Sequence, residues 1–585
     1  MKSQIRFGLN LYFCPNLKRM KKLNTLLLGL LFFFGCGQNS TEKETKDPKQ
    51  NYPKGEFRNP LGITNYLAGN FAELRNNHFH SGIDIKTNQK EGFNIYAVGD
   101  GYVSRINVSP RGYGNALYID HPNGYTSVYA HLQKFSPEIE EYLRDYQYKN
   151  ETFAVEIYPK KEDIKVKSAD IVAISGNSGG SAGPHLHFEI RDTKTEEPIN
   201  PFLFGFDIPD TSSPMINGTY IYPINGNVNG KTSRQSVAAG TTVSASGKIG
   251  LGIKAYDKHN GAENLNGVYQ INVLVDEQPY YTYTAERMNF DWTRAINCLV
   301  DYSDRMKNNS WVYQLYRKEG DPIKMYSNIQ NNGILDLEEG KTYDVRIEVK
   351  DYAGNKKESK FKITGKTPPA EKTINANAII FNWDKENYFK KDGLEISLPK
   401  GVIYEDLEFQ YKKAENGKYW VHDWNTPVHK YYTIAIEPEG IPTAQLDKAI
   451  LILEYQKGGA WKKEFITAEY KNGKVVGETR DFGVFSVGID NTKPSINPVN
   501  IKENSTFTGS KGVIRFTISD SQTGIEGFSA YIDGKWILTN YDQKSKSLTI
   551  DLNKEGITNG KHQLELKVWD EKNNTATYTA NFTKN

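Results

Sequence analysis

The chain has 585 residues, too many for a single hydrophobic core, so about three to five domains are expected. Its formal net charge is only +3, which excludes recruitment of a polyanion such as nucleic acid by charge alone. Three cysteines (Cys14, Cys36 and Cys298) exclude a disulfide framework, while 37 Tyr, 27 Phe and 50 Gly favour strands and turns.

The N-terminus reads as a targeting segment. Lys18-Arg19-Met20-Lys21-Lys22 is a basic stretch, and Leu26 to Phe34 is an apolar run too short to span a bilayer as a stable anchor. It ends in Phe33-Phe34-Gly35-Cys36, which resembles a bacterial lipobox, with Phe33 where Leu is usual. The resemblance implies that residues 1–36 are a lipoprotein signal peptide. Cys36 would then be lipidated and anchor the chain to a membrane of the cell envelope, periplasmic or at the surface. Met20 is a plausible start, because the stretch from it to Cys36 is a complete signal by itself. Residues 37–53 are polar without a core pattern and read as a disordered tether.

Residues 54–205 form the first folded unit. Alternating runs predict strands at Asn94 to Val98, Tyr102 to Ile106, Ala116 to Ile119, Tyr125 to His131 and Ile171 to Ile174. Gly99-Asp100-Gly101, Arg111-Gly112-Tyr113-Gly114 and Pro122-Asn123-Gly124 supply turns between them. Residues 134–167 are charged and partly helical, and are expected as an insertion on the surface.

Beyond 205 the chain is β-rich, with an internal repeat. Asp210-Thr211-Ser212-Ser213-Pro214 parallels Asp490-Asn491-Thr492-Lys493-Pro494, and Ala255-Tyr256-Asp257 parallels Ile518-Ser519-Asp520. Val349-Lys350-Asp351 with Asn355 parallels Val568-Trp569-Asp570 with Asn574. Residues 206–370 and 490–585 are therefore expected as immunoglobulin-like β-sandwiches, and 371–489 as a further β-rich domain. The fold class is mainly β: an antiparallel-sheet domain followed by sandwiches.

Six of the ten histidines (His78, His80, His121, His131, His185 and His187) fall between positions 78 and 187. His185 and His187 share one face of a strand. His80 and Asp84 are spaced His-x-x-x-Asp. A catalytic Zn²⁺ takes three protein ligands and keeps a position for water, which His80, Asp84 and His187 would satisfy. His185 and His131 remain for proton transfer, since an unperturbed imidazole titrates near ~6.5. His78 is read as a neighbour of the site, and His121, in a turn, as structural.

These residues carry a family resemblance. Phe79-His80-Ser81-Gly82-Ile83-Asp84-Ile85, Tyr129-Ala130-His131-Leu132 and Gly176 to Glu189 with its Pro184-His185-Leu186-His187 resemble the lysostaphin-type (LytM-like) zinc metallopeptidases, which cleave peptidoglycan. The resemblance covers about a quarter of the chain. It implies zinc on His80, Asp84 and His187, His131 and His185 beside the reacting water, and an antiparallel sheet with a groove over the metal. The implied substrates are peptidoglycan stem peptides or cross-bridges. His185 would act as general base and a protonated His131 would stabilise the oxyanion, or the two would exchange roles. Some relatives have lost ligands and activate other hydrolases, so a binding or activating lipoprotein is the alternative. The trailing sandwiches would then meet protein partners.

Overall fold

A computed structural model describes residues 52–206, 208–367, 377–414, 416–509 and 512–585. The expected signal peptide with Cys36, and residues 37–51 of the expected tether, lie outside the described residues.

The N-terminal domain is built on β1 (Leu67–Gly69), β2 (Ile83–Lys86), β3 (Gly101–Val108), β4 (Asn115–Asp120), β5 (Tyr125–Phe135) and β6 (His185–Asp192). They lie side by side in the order β1-β2-β6-β5-β4-β3, each pair antiparallel. Period-two alternation divides the sheet into a core face and a polar face. In β6, Leu186, Phe188 and Ile190 enter the core, so His185, His187, Glu189 and Arg191 take the opposite face. In β2, Ile83 and Ile85 enter the same core, leaving Asp84 on the polar face. Gly82 makes the β2–β6 approach feasible, because a Cβ there would meet the Phe188 carbonyl oxygen at 2.2 Å.

The 134–167 segment departs from expectation. Its helix α1 (Pro137–Asn150) buries Ile139 and Leu143 in the domain core, and Val155–Ile157 pairs with β3. The charged composition hid these few apolar anchors, so the insertion is woven into the domain rather than laid on its surface.

The first sandwich carries strands at Met215–Pro223, Thr242–Tyr256, Gln270–Val275, Thr342–Lys350 and Lys356–Lys366. The long strand changes partners at Gly247 (φ +67°). Beyond it, Ile249 to Tyr256 pair antiparallel with Met215–Pro223; before it, Thr242 to Ser246 run parallel to Lys356–Lys366. The last sandwich repeats the neighbours, with Ile525–Ile532, Gly560–Asp570 and Thr575–Lys584 side by side. Between them, a nine-stranded sheet closes over Ile396, Ile434, Leu451 and Phe485. The molecule is mainly β, as composition implied.

The units are joined by packing as well as by chain. Phe71, Ala72 and Phe79, which belong to the N-terminal domain by sequence, lie in the core of the first sandwich. Asn70 exchanges two hydrogen bonds with the Gly267 backbone (2.7 and 2.9 Å), and the Phe79 amide donates to Thr293 Oγ1 at 3.0 Å. The last sandwich returns to α1, where Arg144 forks onto Glu555 (3.1 and 3.0 Å) and Tyr148 packs on Trp536 at 5.2 Å.

Candidate active site

Antiparallel register sets the site. His187 on β6 stands opposite Asp84 on β2 and opposite Ala130 on β5. His80 enters from the turn before β2. His80 Nε2, Asp84 Oδ1 and His187 Nδ1 converge to within 3.0, 3.0 and 2.9 Å of one another.

Their outer partners fix which atoms are bare. His80 Nδ1 lies 2.7 Å from the Asn70 carbonyl, which only accepts, so that nitrogen carries the proton and Nε2 keeps its lone pair. His187 Nε2 donates to Glu189 Oε1 at 2.8 Å, leaving Nδ1 bare. Asp84 Oδ2 is taken by Arg75 Nη2 at 2.5 Å, which leaves Oδ1 for the cluster. Three such atoms facing one another at this range could hold a cation, and two imidazoles with one carboxylate are a zinc-type donor set whose second nitrogens are tied down by outer partners. These three residues are buried together.

The electrostatics follow from burial and neighbours. Burial and Arg75 push His80 down to about 4. Burial opposes charge on His187 too, but with no cation in the cluster hydrogen bonds to the Asp84 and Glu189 carboxylates outweigh it and raise the ring to about 9, so that Nδ1 carries a proton that a metal would displace. Asp84, despite its burial, is held well below the usual carboxylate range by His80 and Arg75.

The other two histidines flank this cluster. His131 has φ +59° and sits where the β4–β5 register slips, a bulge that turns its side chain toward the site. Its Nδ1 donates to the Ser178 carbonyl at 2.9 Å. Burial, with His187 and His185 nearby, lowers it to about 3. His185 donates from Nδ1 to the Gly183 carbonyl at 2.8 Å; its buried Nε2 has no hydrogen-bond partner and lies 3.4 Å from Asp84 Oδ1. The two rings are 4.8 Å apart. Both therefore present a bare Nε2, and His131 can donate to an oxyanion only after gaining a proton.

All five expected residues thus meet at one place. His78 does not join them; it is exposed and its Nδ1 donates to the Asn76 carbonyl at 2.7 Å. His121 bonds the Asp100 carbonyl (2.8 Å) and Ser127 (2.8 Å) in the turn. Sequence reasoning missed the supports. Glu189 and Arg191 (2.6 Å apart) continue the i, i+2 series begun at His185 and were findable from it. Ser81 and Tyr113 both donate to Glu189. Arg75 bridges Asp84 and Glu73 (3.4 Å), and nothing in its spacing signals that.

The fold and site define a metallopeptidase-type domain: an antiparallel sheet with a buried two-His, one-carboxylate cluster and two free imidazoles. Residues 78–147 match the model of peptidase family M23, and the chain carries a peptidase family M23 domain. Residues 378–490 match the model of the Zu5-like domain. Among curated relatives, the DD-carboxypeptidase/endopeptidase Mpg of Neisseria meningitidis serogroup B is 30% identical over 131 residues, 22% of this chain and 24% of that protein. The murein hydrolase activator NlpD of Salmonella dublin is 34% identical over 112 residues, 19% of this chain and 23% of that protein. The chain thus spans about a quarter of the length of these relatives. A zinc-containing peptidase from Vibrio cholerae is a structural neighbour at 26% identity and TM-score 0.18, covering 27% of this chain and 40% of that one.

Proposed function

We propose that the protein is a zinc-dependent metalloendopeptidase that hydrolyses peptide cross-links of bacterial peptidoglycan while lipid-anchored through Cys36 in the cell envelope. The observation that carries this reading is the convergence of three bare ligand atoms beside two imidazoles whose Nε2 atoms are also bare. Zinc held by His80, Asp84 and His187 would supply Lewis acidity and lower the pKa of water at the site.

The chain's own residues then manage protons. His185 Nε2 accepts a proton from the attacking water, while its Nδ1–H stays on Gly183. The imidazolium so formed returns that proton to the leaving amine. His131, fixed by Ser178, faces the same space and serves the oxyanion once protonated; the two rings are equivalent enough in orientation for the roles to exchange. Glu189 and Arg191 hold His187 in the tautomer that offers Nδ1.

The resemblance to a murein hydrolase activator supports a second reading, in which the domain regulates another hydrolase. Retention of all five site residues favours the enzyme. The discriminating experiment compares zinc-loaded wild type with His185→Ala on purified sacculi. Peptide release should fall at least about 100-fold in the variant while its zinc content is unchanged. Equal turnover by the two proteins would refute the assignment of His185.

A further inference from the structure

We propose that Asp210, Asp257 and His259 form a second metal site, for a divalent transition ion, at the junction of the N-terminal domain and the first sandwich. Asp210 lies in the segment leaving the N-terminal domain, and Asp257 closes the strand Thr242–Tyr256. One ligand-capable atom from each of the three residues lies within 4.8 Å of the others. Asp257 is 1% and His259 5% exposed, and the Asp210 side chain is 3% exposed.

What separates this group from an ordinary acidic cluster is unmet bonding. Asp257 Oδ1, Asp210 Oδ2 and both ring nitrogens of His259 are buried without a hydrogen-bond partner. His259 Nδ1 approaches Asp210 Oδ2 to 3.2 Å and Nε2 approaches Asp257 Oδ2 to 3.8 Å, neither aligned as a hydrogen bond. A third carboxylate, Asp351, is buried and occupied by Asn355 (2.8 Å to each oxygen). Leaving buried polar atoms unanswered is costly, and one cation would answer an oxygen of each carboxylate and one ring nitrogen of His259, the other nitrogen facing the second carboxylate.

The internal repeat provides a control within the same chain. Asp490, Asp520 and Asp570 stand where Asp210, Asp257 and Asp351 do, and Gln522 stands at the place of His259. There the fold supplies donors to Asp490 and to one oxygen of Asp520, while Asp520 Oδ1 stays without a partner. Asp490 Oδ2 accepts from Thr523 Oγ1 at 2.6 Å, Asp520 Oδ2 accepts the Gln522 and Gly524 amides at 2.8 and 2.9 Å, and Gln522 donates to the Ile489 carbonyl at 3.2 Å. In the first copy Asp210 Oδ2 lacks such a donor, although Asp210 Oδ1 accepts the Ser212 amide at 3.0 Å, and an imidazole with both nitrogens unpartnered replaces the amide. A nitrogen ligand selects a transition ion such as zinc over calcium, which prefers an all-oxygen set. The site lies under Phe202, which packs on His259 (6.0 Å) and Tyr352 (5.3 Å). An ion there would tie the N-terminal domain's exit segment to the sandwich that also holds Phe79.

The test uses the full chain with the M23 cluster disabled, so that it is independent of the catalytic reading. Chelator-stripped His187→Ala protein is dialysed against ZnCl2, and bound zinc is counted by elemental mass spectrometry. One equivalent should remain in His187→Ala and be lost on adding His259→Gln. Glutamine is what the repeat carries at Gln522, so the fold accommodates it; Asp257→Asn is the second variant. Zinc should also raise the melting temperature of His187→Ala by about 2–6 °C and leave the double variant unmoved. Equal zinc in the His187→Ala protein with and without His259→Gln would overturn the site. Displacement of the zinc by millimolar CaCl2 would overturn the choice of ion.

Discussion

Arg75 occupies one oxygen of Asp84 and Glu189 one nitrogen of His187, and each thereby decides which atom its partner offers to a metal. Arg75→Ala should lower zinc affinity about 10–100-fold, because Asp84 loses the partner that orients it and gains a second competing oxygen. Glu189→Gln should do the same by allowing His187 to change tautomer. Competition titration with a chromogenic chelator measures both; an affinity within twofold of wild type would contradict these orienting roles. His80, Asp84, His131, His185 and His187 were legible because histidine and aspartate at strand and turn spacings carry few other meanings in combination. Arg75 was not, because its partner is chosen by a turn that only the folded chain forms.

The turn that delivers His80 is anchored outside its own domain. Phe79, one residue away, is 1% exposed within the first sandwich and meets Trp292 edge-on at 6.0 Å. Phe79→Ala should cost about 3–5 kcal/mol of stability and also weaken zinc binding, since the cavity releases the turn that carries the ligand. Thermal melting and zinc titration of the same sample check the pair; lost stability with unaltered zinc affinity would show that the anchor does not position His80. The alternation in β6 and β2 gave away which residues share the site face. The insertion and the Phe79 plug were hidden for the same reason: a few apolar residues in polar surroundings acquire partners only through tertiary contact. Motifs placed the site within one stretch of sequence, whereas its support comes from a unit about 200 residues downstream.

At the scale of the molecule, contacts run from the N-terminal domain through each following unit and back to α1. Arg294 in the first sandwich donates to the Val428 carbonyl at 2.9 Å, and Lys572 in the last donates to the Ala468 carbonyl at 2.9 Å. At the closing contact the Glu555 side chain is 1% exposed against Arg144, so Glu555→Ala should cost about 3 kcal/mol and open the arrangement. Small-angle scattering should then show a larger radius of gyration; an unchanged profile would refute the closure. The junction of the first sandwich and the central domain should be acid-sensitive. His429 is pushed down to about 4, mainly by burial, and its ring donates to Tyr404, which donates to the Arg294 carbonyl. The unfolded chain therefore binds the extra proton between about pH 6.5 and 4, and stability present above that window is lost as pH falls through it. Melting temperature should drop less steeply from pH 7.5 to 5 in His429→Gln than in wild type; parallel curves would contradict this.

Purified sacculi incubated with zinc-loaded protein, followed by mass spectrometry of the released muropeptides, test the peptidase chemistry proposed for the M23 site. Fragments formed by hydrolysis of a peptide bond in the stem or cross-bridge are expected, absent from the chelator-treated control and from His187→Ala. Intact cross-links after incubation with protein shown to hold zinc at this site would contradict it.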